Sequence, residues 1–238
     1  MQVIGMLGGM SWESSAEYYR LANELVQEQL GGVHSARVLL DSVDFADIER
    51  LQAAGRWEQA GELLASRARA LESAGAELLV LCTNTMHIVI DSIEEAVSIP
   101  VLHIGDATSA RIQEQGLRRV GLLGTAFTME QPFLRGRLTS AGIDSVIPTG
   151  TDRAIVHRVI YEELVRGIVA DDSRAEYRRI IQDLVHRGAE GIILGCTEIE
   201  LLITADDSPV PVFPTTRIHI EAAVRRALGA GAEEQQDA

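Results

Sequence analysis

The sequence predicts an α/β protein of two pseudo-symmetric domains, each a mostly parallel sheet flanked by helices, with an active site in the interdomain cleft. Three observations lead there. Short apolar runs of strand length alternate with helical patterns along the whole chain, the order that builds parallel sheets with helices on both faces. Residues Gly75-Ala76-Glu77-Leu78-Leu79-Val80-Leu81-Cys82-Thr83-Asn84-Thr85 recur without a gap as Gly188-Ala189-Glu190-Gly191-Ile192-Ile193-Leu194-Gly195-Cys196-Thr197-Glu198, at an offset of 113. Two further segments echo in the same order, Ile4–Gly9 as Val120–Thr125 at an offset of 116 and Ile99–Val101 as Val210–Val212 at 111.

In chain order, the apolar runs bounded by turn residues predict strands at Gln2–Leu7, Arg37–Val43, Glu77–Leu81, Val101–Ile104, Arg119–Leu123, Ser145–Ile147, Gly191–Leu194 and Val210–Phe213. Helical patterns fill the intervals at Trp12–Leu30, Phe45–Ala54, Arg56–Ser73, Met86–Ala96, Asp106–Gln115, Thr128–Ser140, Asp152–Val169, Ser173–His186, Thr197–Leu202 and Thr216–Leu228. The repeat divides the chain into an N-terminal domain, 1–98, completed by 213–229, and a second domain, 99–212. The small, acidic and polar tail 230–238 is expected to be disordered. Ligands of open α/β sheets bind beyond the carboxyl ends of the strands, so two facing halves would bring both sets of polar residues to one cleft.

Composition removes several function classes. A net charge of −14 opposes the phosphate-neutralising contacts on which nucleic-acid binding depends. All 21 basic residues are arginine. Without lysine there is neither a pyridoxal phosphate Schiff base nor a Walker A loop, and no cofactor is expected. No apolar run approaches the roughly 18 residues of a membrane span, and Met1–Leu7 lacks the basic start of a secretory signal, so a cytoplasmic protein without a membrane partner is expected. Cys82 and Cys196 have no C-x-x-C or H-x-x-x-H partners to complete a zinc site, and no metal is expected.

Chemistry concentrates after the strands. The loop Gly5-x-x-Gly8-Gly9-Met10-Ser11 follows a strand and opens a helix, which suits either an anion or a tight turn with Ser11 as N-cap. It lacks the G-x-G-x-x-G spacing of dinucleotide sites. Cys196 follows a glycine at a strand end and precedes a helix start, where a thiol of ordinary pKa about 8.5 is expected to be shifted toward thiolate. Cys82 aligns with Gly195 in the repeat, so strand alternation sends it away from Thr83 and into the core. Thr83 and Thr85 suit caps and Asn84 a turn. His87 and His103 read as structural histidines near strand ends, and His219 lies in an amphipathic helix.

With these residues identified, the chain resembles the aspartate/glutamate racemases, the cofactor-independent amino-acid racemases, from Ile4 to about Leu228. The resemblance rests on Gly8-Gly9-Met10-Ser11-Trp12-Glu13-Ser14-Ser15, Asn84-Thr85-Met86-His87, Gly195-Cys196-Thr197-Glu198-Ile199 and Thr215-Thr216-Arg217-Ile218-His219. It implies two α/β domains with the site between them, and two cysteines that remove and return the α-proton on opposite faces. The family motif C-N-T-x-H places Thr83 where its first cysteine stands, in agreement with the repeat. The chain is therefore similar to a subgroup with a threonine/cysteine pair, Thr83 and Cys196.

The same resemblance implies substrate contacts from Met10, Ser11, Gln52, Asn84, Thr85, Thr125 and Thr197, with Glu198 assisting the thiol. The implied partner is a small amino-acid substrate, and a homodimer is expected. Where members acting on acidic substrates carry the lysine of Y-x-x-V-K-x-G, this chain has Val165 within Tyr161–Gly167, and Pro214 stands where many carry aspartate. A broad-specificity amino-acid racemase is the competing reading, with Arg50, Arg56 and Arg166 available as other cations. A cysteine-dependent lyase or hydrolase using Cys196 alone, and a two-lobed amino-acid sensor, are the alternatives from other classes.

Overall fold

The computed structural model describes residues 1–229; the 230–238 tail, expected to be disordered, lies outside the described residues. The chain divides into two compact units, Met1–His103 together with the segment from His219, and Ile104–Ile218.

The first unit opens with β1 (Ile4–Gly8), α1 (Trp12–Leu30), β2 (Val38–Ser42), α2 (Phe45–Ala53), α3 (Trp57–Ser73) and β3 (Leu78–Leu81). A 3-10 turn at Thr85–Val89, α4 (Ile90–Glu94) and β4 (Val101–Leu102) follow. Its parallel sheet has the order β2-β1-β3-β4 among the described residues. Ser11 caps α1 by accepting from the Ser14 amide at 3.2 Å, and Tyr18, Leu21, Ala22, Leu25 and Val26 recur at helical spacing to bury one face. Strand alternation then sorts β3 between two cores. Leu78, Val80 and Cys82 pack with Tyr18 and Val224, while Leu79 and Leu81 pack with Leu64 and Ile93.

The second unit runs α5 (Ile104–Glu114), β5 (Arg119–Gly124), α6 (Ala126–Glu130), α7 (Pro132–Ser140), β6 (Asp144–Val146) and α8 (Gly150–Glu162). After a 3-10 turn at Leu164–Arg166 come α9 (Asp171–His186), β7 (Ile192–Gly195), α10 (Ile199–Leu202) and β8 (Val212–Pro214). Its parallel sheet has the order β6-β5-β7-β8, the order of the first sheet. Tyr177, Ile180, Ile181 and Leu184 form the buried stripe of α9. The last helix, α11 (Thr215–Ala227), returns the chain to the first unit, where Ile220, Ala223 and Val224 join the core beside β1 and β3.

Several expected boundaries move, for local reasons. The helix expected over 128–140 is two helices, because Pro132 has no amide to continue the ladder and Gln131 before it is extended. The helix expected over 152–169 stops at Glu162, and Gly167 closes the following 3-10 turn at φ +73°. The segment 86–96 is a 3-10 turn and a one-turn helix. The unit boundary shifts as well: Leu102 pairs with Val80 in the first sheet, and Phe213 pairs with Ile193 in the second. The chain therefore crosses at His103/Ile104 and Ile218/His219, in place of the 98/99 and 212/213 boundaries expected above.

The turn after β1 depends on Gly9. Its φ is +91°, and a Cβ there would stand 2.1 Å from the Val43 carbonyl oxygen. Gly55 also has positive φ, +66°, but has open space around its missing Cβ. Gly55→Ala is therefore expected to cost about 1 kcal/mol, the backbone term alone. Gly9→Ala should cost at least about 2 kcal/mol more, because backbone must move. Urea denaturation of the two variants measures the difference.

Candidate active site

In the first unit the sheet register brings two loops together. Leu7 lies opposite Leu81, and the Cys82 amide donates to the Leu7 carbonyl at 2.9 Å, so Gly8–Ser11 and Cys82–Thr85 emerge from neighbouring strand ends. Each loop is tied down by short polar side chains. Ser15 Oγ accepts from the Gly9 amide at 2.8 Å and donates to the Ser11 carbonyl at 2.9 Å; Ser14 Oγ donates to the Cys82 carbonyl at 3.1 Å. The Gly9 amide is thus engaged within the loop, and Ser11 serves as the N-cap of α1 as the turn reading expects.

Cys82 is fully buried in the α1/α11 core, and burial pushes its thiol far above the ordinary range. Thr83, the next residue, leaves the strand half-buried, with its amide on the Leu81 carbonyl at 2.8 Å. Asn84 is buried and Thr85 opens the 3-10 turn. Met10 is buried beside this turn's Met86 in one core cluster, and Gln52 Nε2, at the end of α2, donates to Met86 Sδ at 2.8 Å.

The second unit repeats the arrangement. Gly124 lies opposite Gly195, so Thr125 and Cys196 sit at adjoining strand ends. Leu7 opposite Leu81 in one sheet corresponds to Leu123 opposite Leu194 in the other. Counting two residues on from Leu81 and from Leu194 gives Thr83 and Cys196. Thr125 caps α6, accepting from the Thr128 amide at 3.3 Å; Thr197 Oγ1 lies 3.1 Å from Thr216 Oγ1. Cys196 Sγ donates to Glu198 Oε2 at 2.8 Å.

This last contact reverses the sequence expectation for Cys196. Its thiol is held well above the ordinary value, first by burial and then by the Glu198 carboxylate. The helix that was to supply a compensating dipole, α10, is four residues long and begins three residues beyond the sulfur. At rest Cys196 is a protonated thiol that donates to Glu198. The arginines expected as alternative cations are displayed differently: Arg50 is ion-paired with Asp47 at 2.7 Å with 72% of its side chain exposed, Arg56 precedes α3, and Arg166 ends the 3-10 turn containing Val165. Val165 is itself 45% exposed.

Sequence reasoning missed a grouping of histidines in the first unit. His87, His103 and His219 are all buried, with ring centroids 4.7 Å apart for His87–His103 and 5.7 Å for His87–His219. A carbonyl can only accept, so two tautomers follow. His87 Nδ1–H donates to the Thr83 carbonyl at 2.8 Å, and His219 Nε2–H donates to the Leu102 carbonyl at 2.9 Å. The Nδ1 of neutral His219 then accepts from Tyr18 at 2.8 Å. The usable sequence signals were the histidine of Asn84-Thr85-Met86-His87 and that of Thr215–His219. Among the described residues no cluster of three or more His, Cys, Asp or Glu is placed to hold a metal ion, and no helix is long and apolar enough to cross a membrane.

Two expectations follow from these electrostatics. Burial pushes His219 down to about 4 from 6.5, and His87 well below its ordinary value. Below pH 6.5 the unfolded chain takes up protons that the folded chain refuses, so stability falls as the pH is lowered. By pH 5, above the titration of ordinary carboxylates, His219 alone should remove about 2 kcal/mol. A fall in Tm between pH 7 and 5 checks the sign. Secondly, Glu198→Gln removes the neighbouring negative charge that raises the thiol's pKa and should accelerate alkylation of Cys196 by iodoacetamide by up to about tenfold at pH 8. Peptide mass mapping separates it from the shielded Cys82.

The comparisons with known proteins agree with this architecture. A profile described as Asp/Glu/Hydantoin racemase matches residues 7–223. A crystal structure of a candidate Asp/Glu racemase from Yersinia pestis is 55% identical with a TM-score of 0.93, covering 96% of this chain and 100% of that one. An aspartate racemase homologue from Pyrococcus horikoshii is 34% identical with a TM-score of 0.86, at the same coverage. The broad specificity amino-acid racemase RacX of Bacillus subtilis is 23% identical over 153 residues, 61% of this chain and 63% of that protein, so this chain matches less than two thirds of that relative's length. The chain belongs to the Asp/Glu/hydantoin racemase family.

Proposed function

We propose that the protein is a cofactor-independent racemase that interconverts L- and D-aspartate or glutamate, with Cys196 and Thr83 as its proton-transfer pair. The observation that carries the reading is the ladder correspondence of Thr83 with Cys196, which leaves Cys82 in the core. Cys196 is the base for the L-enantiomer. Its thiol first gives its proton to Glu198, 2.8 Å away, as the substrate's ammonium group arrives and favours the thiolate. The thiolate then takes the α-proton: the C–H bond breaks, an S–H bond forms, and the electron pair passes into the substrate carboxylate. Thr83, directly or through water, delivers a proton to the opposite face; water restores its hydroxyl, and Glu198 gives up the proton it took to the hydroxide so formed, which resets both residues. A threonine hydroxyl does not ionise usefully at neutral pH, so D-to-L turnover is the slower direction under saturating substrate.

A second reading, a broad-specificity amino-acid racemase, is favoured by Val165, an exposed apolar side chain where a lysine would grip a distal carboxylate, and by the likeness to the Bacillus subtilis protein. The expected partners are common to both: a small amino-acid substrate and a second copy of the chain.

Proton NMR of L- and D-amino acids in deuterated buffer tests the assignment. Cys196→Ala should abolish α-proton exchange and racemisation of L-aspartate or L-glutamate, a loss of at least about a thousandfold. Thr83→Ala should stop racemisation while leaving solvent exchange into the L-enantiomer. Cys82→Ala should leave both rates in place and cost about 1 kcal/mol of stability for a lost buried atom. Loss of exchange in Cys82→Ala alone sinks the assignment, and turnover across apolar amino acids selects the second reading.

A further inference from the structure

The Thr83 segment is held at its backbone from two sides. Ser14 Oγ donates to the carbonyl of Cys82, and His87 Nδ1–H donates to the carbonyl of Thr83 itself, with the Asn84 backbone also within hydrogen-bonding reach of the ring. These two peptide groups set the direction in which the Thr83 side chain leaves the strand. The imidazole that makes the second contact is not free to rotate. It is 1% exposed, stands edge-to-face against His103 and His219, and sits within a 3-10 turn, Thr85–Val89, too short to fix a side chain unaided. His219 is anchored in turn between the Tyr18 hydroxyl and the Leu102 carbonyl. His103 and His219 are the residues at which the chain leaves and re-enters the first unit.

We propose that His87 is a positioning residue for Thr83, using its single Nδ1–H to fix the Thr83 peptide and thereby aim the hydroxyl, with His103 and His219 holding the ring in place. This inference rests on the Thr83/Cys196 reading. Neutrality of His87 supports it. Burial and the adjacent His103 and His219 hold the ring well below its ordinary pKa, so it carries one N–H, and the carbonyl fixes where that proton is. The cost of keeping three imidazoles dry and adjacent is otherwise unexplained by packing, since apolar rings would fill the same volume.

The prediction separates the two half-reactions. His87→Phe keeps a ring but removes the donor, and should lower L-to-D racemisation by about tenfold or more through misaim of Thr83. Exchange of the L-enantiomer with solvent, which uses Cys196, should stay within about twofold of wild type. His87→Asn places an amide N–H near the Nδ1 position and should recover racemisation to within about threefold, whereas His87→Gln, whose amide reaches the Nε2 position, should not. The Asn/Gln comparison decides the matter where His87→Phe does not accumulate as folded protein. Equal loss of exchange and racemisation, equal behaviour of Asn and Gln, or full racemisation in His87→Phe overturns the proposal. Thr83→Ala is the control. If it racemises like wild type, the proton-transfer pair itself is wrong; if it fails while the His87 variants racemise normally, only the positioning role is wrong.

Discussion

The parallel pairing of β1 with β3, and of β5 with β7, is the constraint on which the rest depends. In a pleated strand a slip of one residue exchanges the two faces. The pairing of Leu7 with Leu81 sends Leu78, Val80 and Cys82 to the α1/α11 core and Leu79 and Leu81 to the other. The chain then leaves the strand at Thr83. One register shift would have brought the Cys82 thiol out and buried the threonine. The second sheet repeats the register at Leu123 and Leu194, with Gly195 where the first has Cys82, so its thiol falls one residue later. Placement of the Cys196 thiol and the Thr83 hydroxyl is a property of backbone pairing before it is a property of side chains.

Much of this could be read directly, because the repeat is written in the strands and glycines that make the pairing. Ile4–Gly9 and Val120–Thr125 preserve the glycines at the strand centres and ends, and Gly5 and Gly121 both stand where a Cβ would strike a neighbouring strand or helix. Turn geometry was less legible. Pro132 interrupts a helical pattern that periodicity alone continues, and the crossovers depend on which sheet the two short strands β4 and β8 join. Neither strand is long enough to advertise its partner. The histidine grouping was invisible for a different reason: 116 residues separate His103 from His219, and only the return of α11 to the first unit brings them together.

The state of Cys196 was misread because two opposing terms were weighed with the wrong sizes. A strand-to-helix junction suggests a dipole that favours thiolate, worth at most a few tenths to one kcal/mol near an exposed helix end. Against it stand burial of the sulfur and a carboxylate in hydrogen-bond contact, each of which raises a thiol pKa, and α10 offers one turn of helix. The resemblance named Glu198 as assisting the thiol, but its direct contact with the sulfur could not be read from the sequence. Glu198 is two residues from Cys196, a spacing that brings side chains together only in a turn such as the one after β7, where the Ile199 amide bonds to the Cys196 carbonyl at 3.1 Å.

A protonated thiol is compatible with base catalysis if the substrate supplies the positive charge that favours the thiolate. In the proposed reaction an α-ammonium group about 4 Å from sulfur contributes about 4 kcal/mol at an effective dielectric of 20, roughly a thousandfold in the thiolate fraction. That magnitude is larger than any dipole α10 could provide, and it arises only when an amino acid is bound. Glu198, in the proposed reaction, accepts the thiol's hydrogen bond before the substrate binds and the thiol's proton once the cation arrives. In that reaction reactivity is tied to the substrate's own charge, and without that charge Cys196, a half-buried thiol hydrogen-bonded to a carboxylate, is a poor nucleophile toward electrophiles.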